Sequence, residues 1–158
     1  MQGFSLLEVL FVVAFLALLS VFAYPNVHHY RQQQRLQTEV QKVYAHAQET
    51  RLRSIGLGVD HWFGIREHHG QLAWCWWRSE QTPECVPRDD RVNYQWNFAS
   101  GDAARFTAPI GMAGFSAGHI EFMLLDAPQL PRVRMVVSTL GRIRLCTQGP
   151  RWSGYAAC

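Results

Sequence analysis

The chain has 158 residues, 48% of them hydrophobic, with 15 Lys plus Arg against 12 Asp plus Glu and a formal net charge of +3. With about 30 residues assigned to an N-terminal anchor, one globular domain of ordinary size remains. Internal repeats, low-complexity linkers, phosphate-binding loops, paired carboxylates and cofactor fingerprints are absent from the sequence.

From Phe4 to Tyr24 the chain is predominantly apolar with one charge, Glu8, and Pro25 follows. A helix of this length crosses a hydrocarbon core of ~30 Å. A carboxylate one turn into such a span costs about 2.5–3.5 kcal/mol, so Glu8 needs a partner. Cleavage between Gly3 and Phe4 would create an amine four residues from Glu8, and in an assembly a neighbour's amine could neutralise it. A secretory signal peptide wants a basic n-region and a small-residue cut site, whereas Met1-Gln2-Gly3 carries no basic residue. The run Gly3-Phe4-Ser5-Leu6-Leu7-Glu8 resembles the class III signal of type IV prepilins and type II secretion pseudopilins: a short leader ending in Gly, then Phe, with Glu fifth after the cut. The resemblance implies a leader, 1–3, removed by a prepilin peptidase with prepilin methylation. It implies a transmembrane half-helix, 4–25, in a bacterial inner membrane, with the head in the periplasm. Other pilin subunits are the implied assembly partners, in a pilus at the cell surface.

Beyond Pro25, the residue expected to kink the helix, an amphipathic half covers 26–57. Leu36, Val40, Val43 and Ala47 recur at helical spacing, with Gln, Arg and Glu between them. Gly56 and Gly58 end a helix of about 50 residues.

From residue 58 the signals change to strands and turns. His61 to Ile65, the turn His68-His69-Gly70 and Gln71 to Trp77 read as a hairpin. Leu72, Trp74 and Trp76 share one strand face, and Ala73, Cys75 and Trp77 the other. Core packing accounts for this aromatic run, with one Trp exposed. Further strands are predicted at Val92–Phe98, His119–Leu125, Arg132–Ser138 and Arg142–Thr147, punctuated by Pro83, Pro87, Pro109, Pro128 and Pro131. The predicted fold class is α+β: a long helix packed on an antiparallel β head, 58–158. Cys75, Cys85, Cys146 and Cys158 form two close pairs in sequence, with three possible connectivities. Disulfides persist in the compartment that the prepilin resemblance implies, which favours Cys75–Cys85 and Cys146–Cys158 over free buried thiols.

Charge is unevenly distributed. No acidic residue follows Asp126, while Arg132, Arg134, Arg142, Arg144 and Arg151 all do; Lys42 is the one lysine. Such a tail suits a local anionic partner. On a strand, Arg142 and Arg144 lie on one face about 6.6 Å apart, with Ile143 and Leu145 turned inward. Arg132 and Arg134 repeat the spacing, so a hairpin could merge the four into one patch. Gly141 permits a tight turn and a close backbone approach to a ligand. Guanidinium groups fit phosphate oxygens, and Trp152 beside Arg151 adds a stacking platform. The alternative is a solvated face whose arginines pair with Asp or Glu.

A pilin-like helix followed by an all-β head resembles the GspH/FimT family of minor pilins and pseudopilins. Within it, Gly141-Arg142-Ile143-Arg144-Leu145-Cys146 is similar to the GRxR-type segment of FimT-like minor pilins, which are linked to DNA binding in natural transformation. The resemblance implies sequence-independent binding of the DNA phosphate backbone. The alternative within the same family is a structural minor pilin or pseudopilin H-like assembly subunit that does not bind DNA. Neither reading calls for a cofactor, a metal or enzymatic activity. The pairs His28-His29 and His68-His69 have no obvious acidic partners for a metal site, and Ser116 in Gly114-Phe115-Ser116-Ala117-Gly118 lacks the strand–elbow–helix context of a hydrolase.

Overall fold

The computed structural model describes residues 5–79, 81–149, 152 and 154–158, with the side chains of 21–26 outside that description. One helix, α1, spans Leu6–Leu57. It ends where Gly58 takes a left-handed φ of 66°, the backbone state that closes helices at little steric cost. The expected kink at Pro25 and the end of the apolar run fall within 21–26. Among the described residues no helix is long and apolar enough to cross a membrane. The fully described part of the apolar run stops at Ser20, short of the about 20 residues that a span needs.

The chain divides into two compact units, one up to Arg35 and the other Leu36–Cys158. In the first, the apolar side chains described from Leu6 to Leu19 are exposed. In the second, Leu36, Val40, Val43 and Ala47 are fully buried, and the stripe continues through buried Thr50 and Ser54. Those two hydroxyls are satisfied locally, Thr50 Oγ1 donating to His46 O and Ser54 Oγ to Arg51 O, each at 2.7 Å. The same helix buries one carboxylate, Glu39. Lys42 Nζ lies 2.6 Å from its Oε2, and the Tyr94 hydroxyl donates to its Oε1 at 2.7 Å. A buried charge so partnered escapes most of the penalty of an isolated one. Burial first, and then the bond to Glu39, push the Tyr94 phenol well above its ordinary value.

Nine strands follow among the described residues: β1 His61–His68, β2 Gln71–Arg78, β3 Glu84–Pro87, β4 Val92–Phe98, β5 Ala103–Phe106, β6 Gly118–Leu124, β7 Arg132–Val137, β8 Ile143–Gln148 and β9 Ala156–Ala157. They form a four-stranded sheet, β3-β2-β1-β5, and a five-stranded sheet, β4-β6-β7-β8-β9. The sheets are antiparallel as expected; among the described residues only β8 with the two-residue β9 pairs in parallel. His69 and Gly70 turn the first hairpin with φ of 53° and 78°, the sign that a two-residue turn demands.

The inner faces of both sheets meet the helix stripe in one core. Trp74 is its centre, stacked on Phe63 at 5.7 Å and edge-on to Tyr94 at 5.3 Å. Trp76 is also buried, whereas Leu72 on the same face is exposed at the start of β2. Trp77, on the opposite face, is half-buried. Both expected disulfides are present, Cys75–Cys85 between β2 and β3 and Cys146–Cys158 tying the C-terminus to β8. Closing such loops stabilises a fold by about 3 kcal/mol each on a chain-entropy basis.

Candidate nucleic-acid interface

The turn between β7 and β8 sets the geometry. Ser138 clamps it twice, its N–H donating to Arg142 O and its Oγ accepting from Arg142 N, both at 3.0 Å. Gly141 closes the turn with φ of 75° and donates its N–H to Ser138 O at 2.8 Å. A Cβ at Gly141 would fall 1.8 Å from Gly111 O and 3.1 Å from Arg51 Nε. The close approach expected at Gly141 is therefore an internal one. Its missing side chain makes room for the loop at Gly111, whose carbonyl accepts from Arg51 Nε at 3.1 Å.

Arg142 precedes the first residue of β8 and Arg144 lies within it; both are exposed and Ile143 between them is buried. With Arg51, Tyr44 and Gln48 of α1 they line an open cleft of about 770 Å³. Among the described residues no carboxylate lines it, and none of the three arginines is in an ion pair. Three guanidinium groups around such a cleft have the charge and planar donor geometry that suit phosphate oxygens. Arg51 went unnoticed in the sequence. Its signal is its position four residues after buried Ala47, a charge at the margin of a core stripe.

The other basic residues divide. Arg132 is exposed and stands opposite Gln148 in the register. Arg134 does not join the patch: β6 places Glu121 directly opposite, and Arg134 Nε donates to Glu121 Oε1 at 2.9 Å. The merged patch of four arginines is thus corrected to Arg142 and Arg144 with Arg51, and exposed Arg132 on the neighbouring strand. Trp152 is no platform either. It is 9% exposed and sits edge-on to Tyr155 at 5.8 Å, its indole drawn into the core.

Arg151, Gly3 and Phe4 lie outside the described residues, and Glu8 is exposed in the first turns of α1. Ser116 is buried, its hydroxyl bound to Ala113 O at 2.6 Å and accepting from Arg105 N at 2.8 Å. His68 and His69 pack edge to face at the β1–β2 turn, and among the described residues no group of His, Cys, Asp or Glu is placed to hold a metal.

Compared with known proteins, the chain matches no family model, no curated protein and no solved structure.

Proposed function

We propose that this chain is a minor type IV pilin of the GspH/FimT kind, whose head binds DNA without sequence preference for uptake in natural transformation. The observation that carries the reading is the acid-free cleft in which exposed Arg142 and Arg144 converge with Arg51. Binding there is neutralisation of phosphates with release of counterions, which ignores base sequence and weakens steeply with salt. Residues Gly3, Phe4 and Glu8 support the pilin part: removal of residues 1–3 by a prepilin peptidase, anchoring of 4–25 in the inner membrane, a periplasmic head and assembly with other pilins at the cell surface.

Fluorescence anisotropy of the full chain in detergent micelles, on two unrelated duplexes, tests the binding. Equal affinity for both, reduced equally by Arg142→Gln with Arg144→Gln, is the expected result. Binding that depends on sequence, or that the double variant leaves unchanged, would remove it. An intact Met1 terminus on protein from the membrane fraction, read by mass spectrometry, would remove the pilin part. A second reading, an assembly subunit that contacts only other pilins, has one observation in its favour. Ile110 and Leu140, 60% and 67% exposed, precede Gly111, whose carbonyl accepts from Arg51, and Gly141, which packs on it.

A further inference from the structure

The outer face of the four-stranded sheet carries aromatic rings that the arginine cleft does not use. Trp62 of β1 stands opposite Trp77 of β2 on one side and opposite Arg105 of β5 on the other. Strand alternation puts Arg66 on the same face, four residues after Trp62. Both indoles are half-buried, and each carries a guanidinium. Arg66 Cζ lies 3.8 Å from the Trp77 centroid, and Arg105 Cζ 5.4 Å from that of Trp62. These four side chains line an open groove of about 610 Å³.

The rim of this groove is the 3-10 turn Gly114–Ser116, where Phe115 is 99% exposed. The turn is anchored, because buried Ser116 accepts from Arg105 N and donates to Ala113 O. It also leads to the arginine cleft. Ala113 N and Gly114 N donate to Thr139 O at 3.1 and 2.8 Å, two residues before Gly141, and Gly111 O accepts from Arg51. One loop thus touches the arginine cleft at Gly111 and rims the aromatic groove at Phe115.

The groove's chemistry is planar and cationic. Arg66 supplies its unpaired charge among the described residues; Arg105 is held by Asp60, to which its Nε donates at 2.9 Å, and the lining carboxylate Asp102 accepts from Trp96 Nε1 at 3.0 Å. Arginine laid on an indole adds charge to a stacking surface. A ligand that suits both sites has flat faces to stack and an anionic backbone to run along the arginines, and a single nucleic-acid strand has both. A duplex does not, since the faces of its bases are covered by their neighbours.

We infer that the groove takes unpaired bases of a single-stranded nucleic acid whose phosphates lie in the cleft of Arg51, Arg142 and Arg144. This rests on the DNA-binding reading and adds to it a preference for unpaired strand. The test is anisotropy of the full chain in micelles with three probes of equal length: an oligothymidine strand, the same strand made abasic, and a duplex. Wild type should bind the thymidine strand more tightly than the abasic one by roughly fivefold or more for each stacked base. Phe115→Ala, which removes a ring standing in solvent, and Arg66→Gln should erase most of that difference and leave duplex binding unchanged. Arg142→Gln with Arg144→Gln should weaken all three probes. Equal binding of thymidine and abasic strands, or wild-type strand affinity in both groove variants, would overturn the inference while leaving the arginine cleft standing. Loss of association with a pilin subunit in Phe115→Ala, with strand binding unchanged, would also overturn it, in favour of protein docking. No binding to any probe would remove the DNA reading itself, and the inference with it.

Discussion

The starts of β7 and β8 carry the same spacing, Arg132-Val133-Arg134 and Arg142-Ile143-Arg144, the last with Arg142 just ahead of its strand, and the fold gives the two pairs different chemistry. β7 lies inside its sheet, with β6 on one side bringing Glu121 opposite Arg134. β8 has β7 on one side and only Ala156 and Ala157 on the other. One arginine of the first pair is consumed in an ion pair, while both arginines of the second remain exposed beside a third from α1. Spacing along a strand decides which face a side chain takes; the neighbouring strand decides whether its charge is free.

The most disruptive way to break this contrast is Gly141→Val. A side chain there meets the Gly111 carbonyl at 1.8 Å on a backbone of positive φ. Thermal unfolding should show a loss of at least about 2 kcal/mol, together with loss of DNA binding as the turn and Arg51 separate. Retention of both would mean that the turn does not set the site.

Lys42→Gln asks whether a partnered cation elsewhere follows the same rule. Lys42 serves buried Glu39 and also donates to Pro87 O at 2.9 Å. Its replacement should cost about 1–2 kcal/mol in denaturant unfolding and leave DNA affinity untouched. A fall in affinity without a fall in stability would contradict the division into partnered and free charges.

Glu121→Gln sharpens the comparison directly. Releasing Arg134 should cost about 1 kcal/mol of stability and raise the slope of log affinity against log salt by up to about 0.9 on duplex. An unchanged slope would mean that Arg134 is kept from phosphate by its position rather than by its carboxylate.

The long helix, its buried stripe, the hairpin and the main strands were legible because each rests on local periodicity and turn chemistry. Leu36, Val40, Val43 and Ala47 announced the packed face, and Val92–Phe98 forms the strand its pattern predicts. The short strands β3, β5 and β9, of four, four and two residues, are too brief to show a period and exist through their neighbours. The candidate site was half legible. Arg142, Arg144 and Gly141 declared themselves by spacing and by a residue suited to positive φ. The lack of acid after Asp126 described the chain and not space, because the acid that neutralises Arg134 comes from β6. Trp152 looked like a platform beside a basic residue, but a small head used its large apolar surface for the core. Arg51 joins the site only through a tertiary contact at Gly111, which no local pattern encodes.

The central claim is that Arg142 and Arg144, and not the arginines of β7, meet the phosphates. Its most direct test is the salt dependence of duplex binding in two double variants, Arg142→Gln with Arg144→Gln and Arg132→Gln with Arg134→Gln, each verified as folded. Each lost phosphate contact removes about 0.9 from the slope of log affinity against log salt. The first variant should therefore lose nearly two such contacts' worth of slope, and the second no more than Arg132 alone can supply. Equal losses in the two variants, or a larger loss from the β7 pair, would contradict the account.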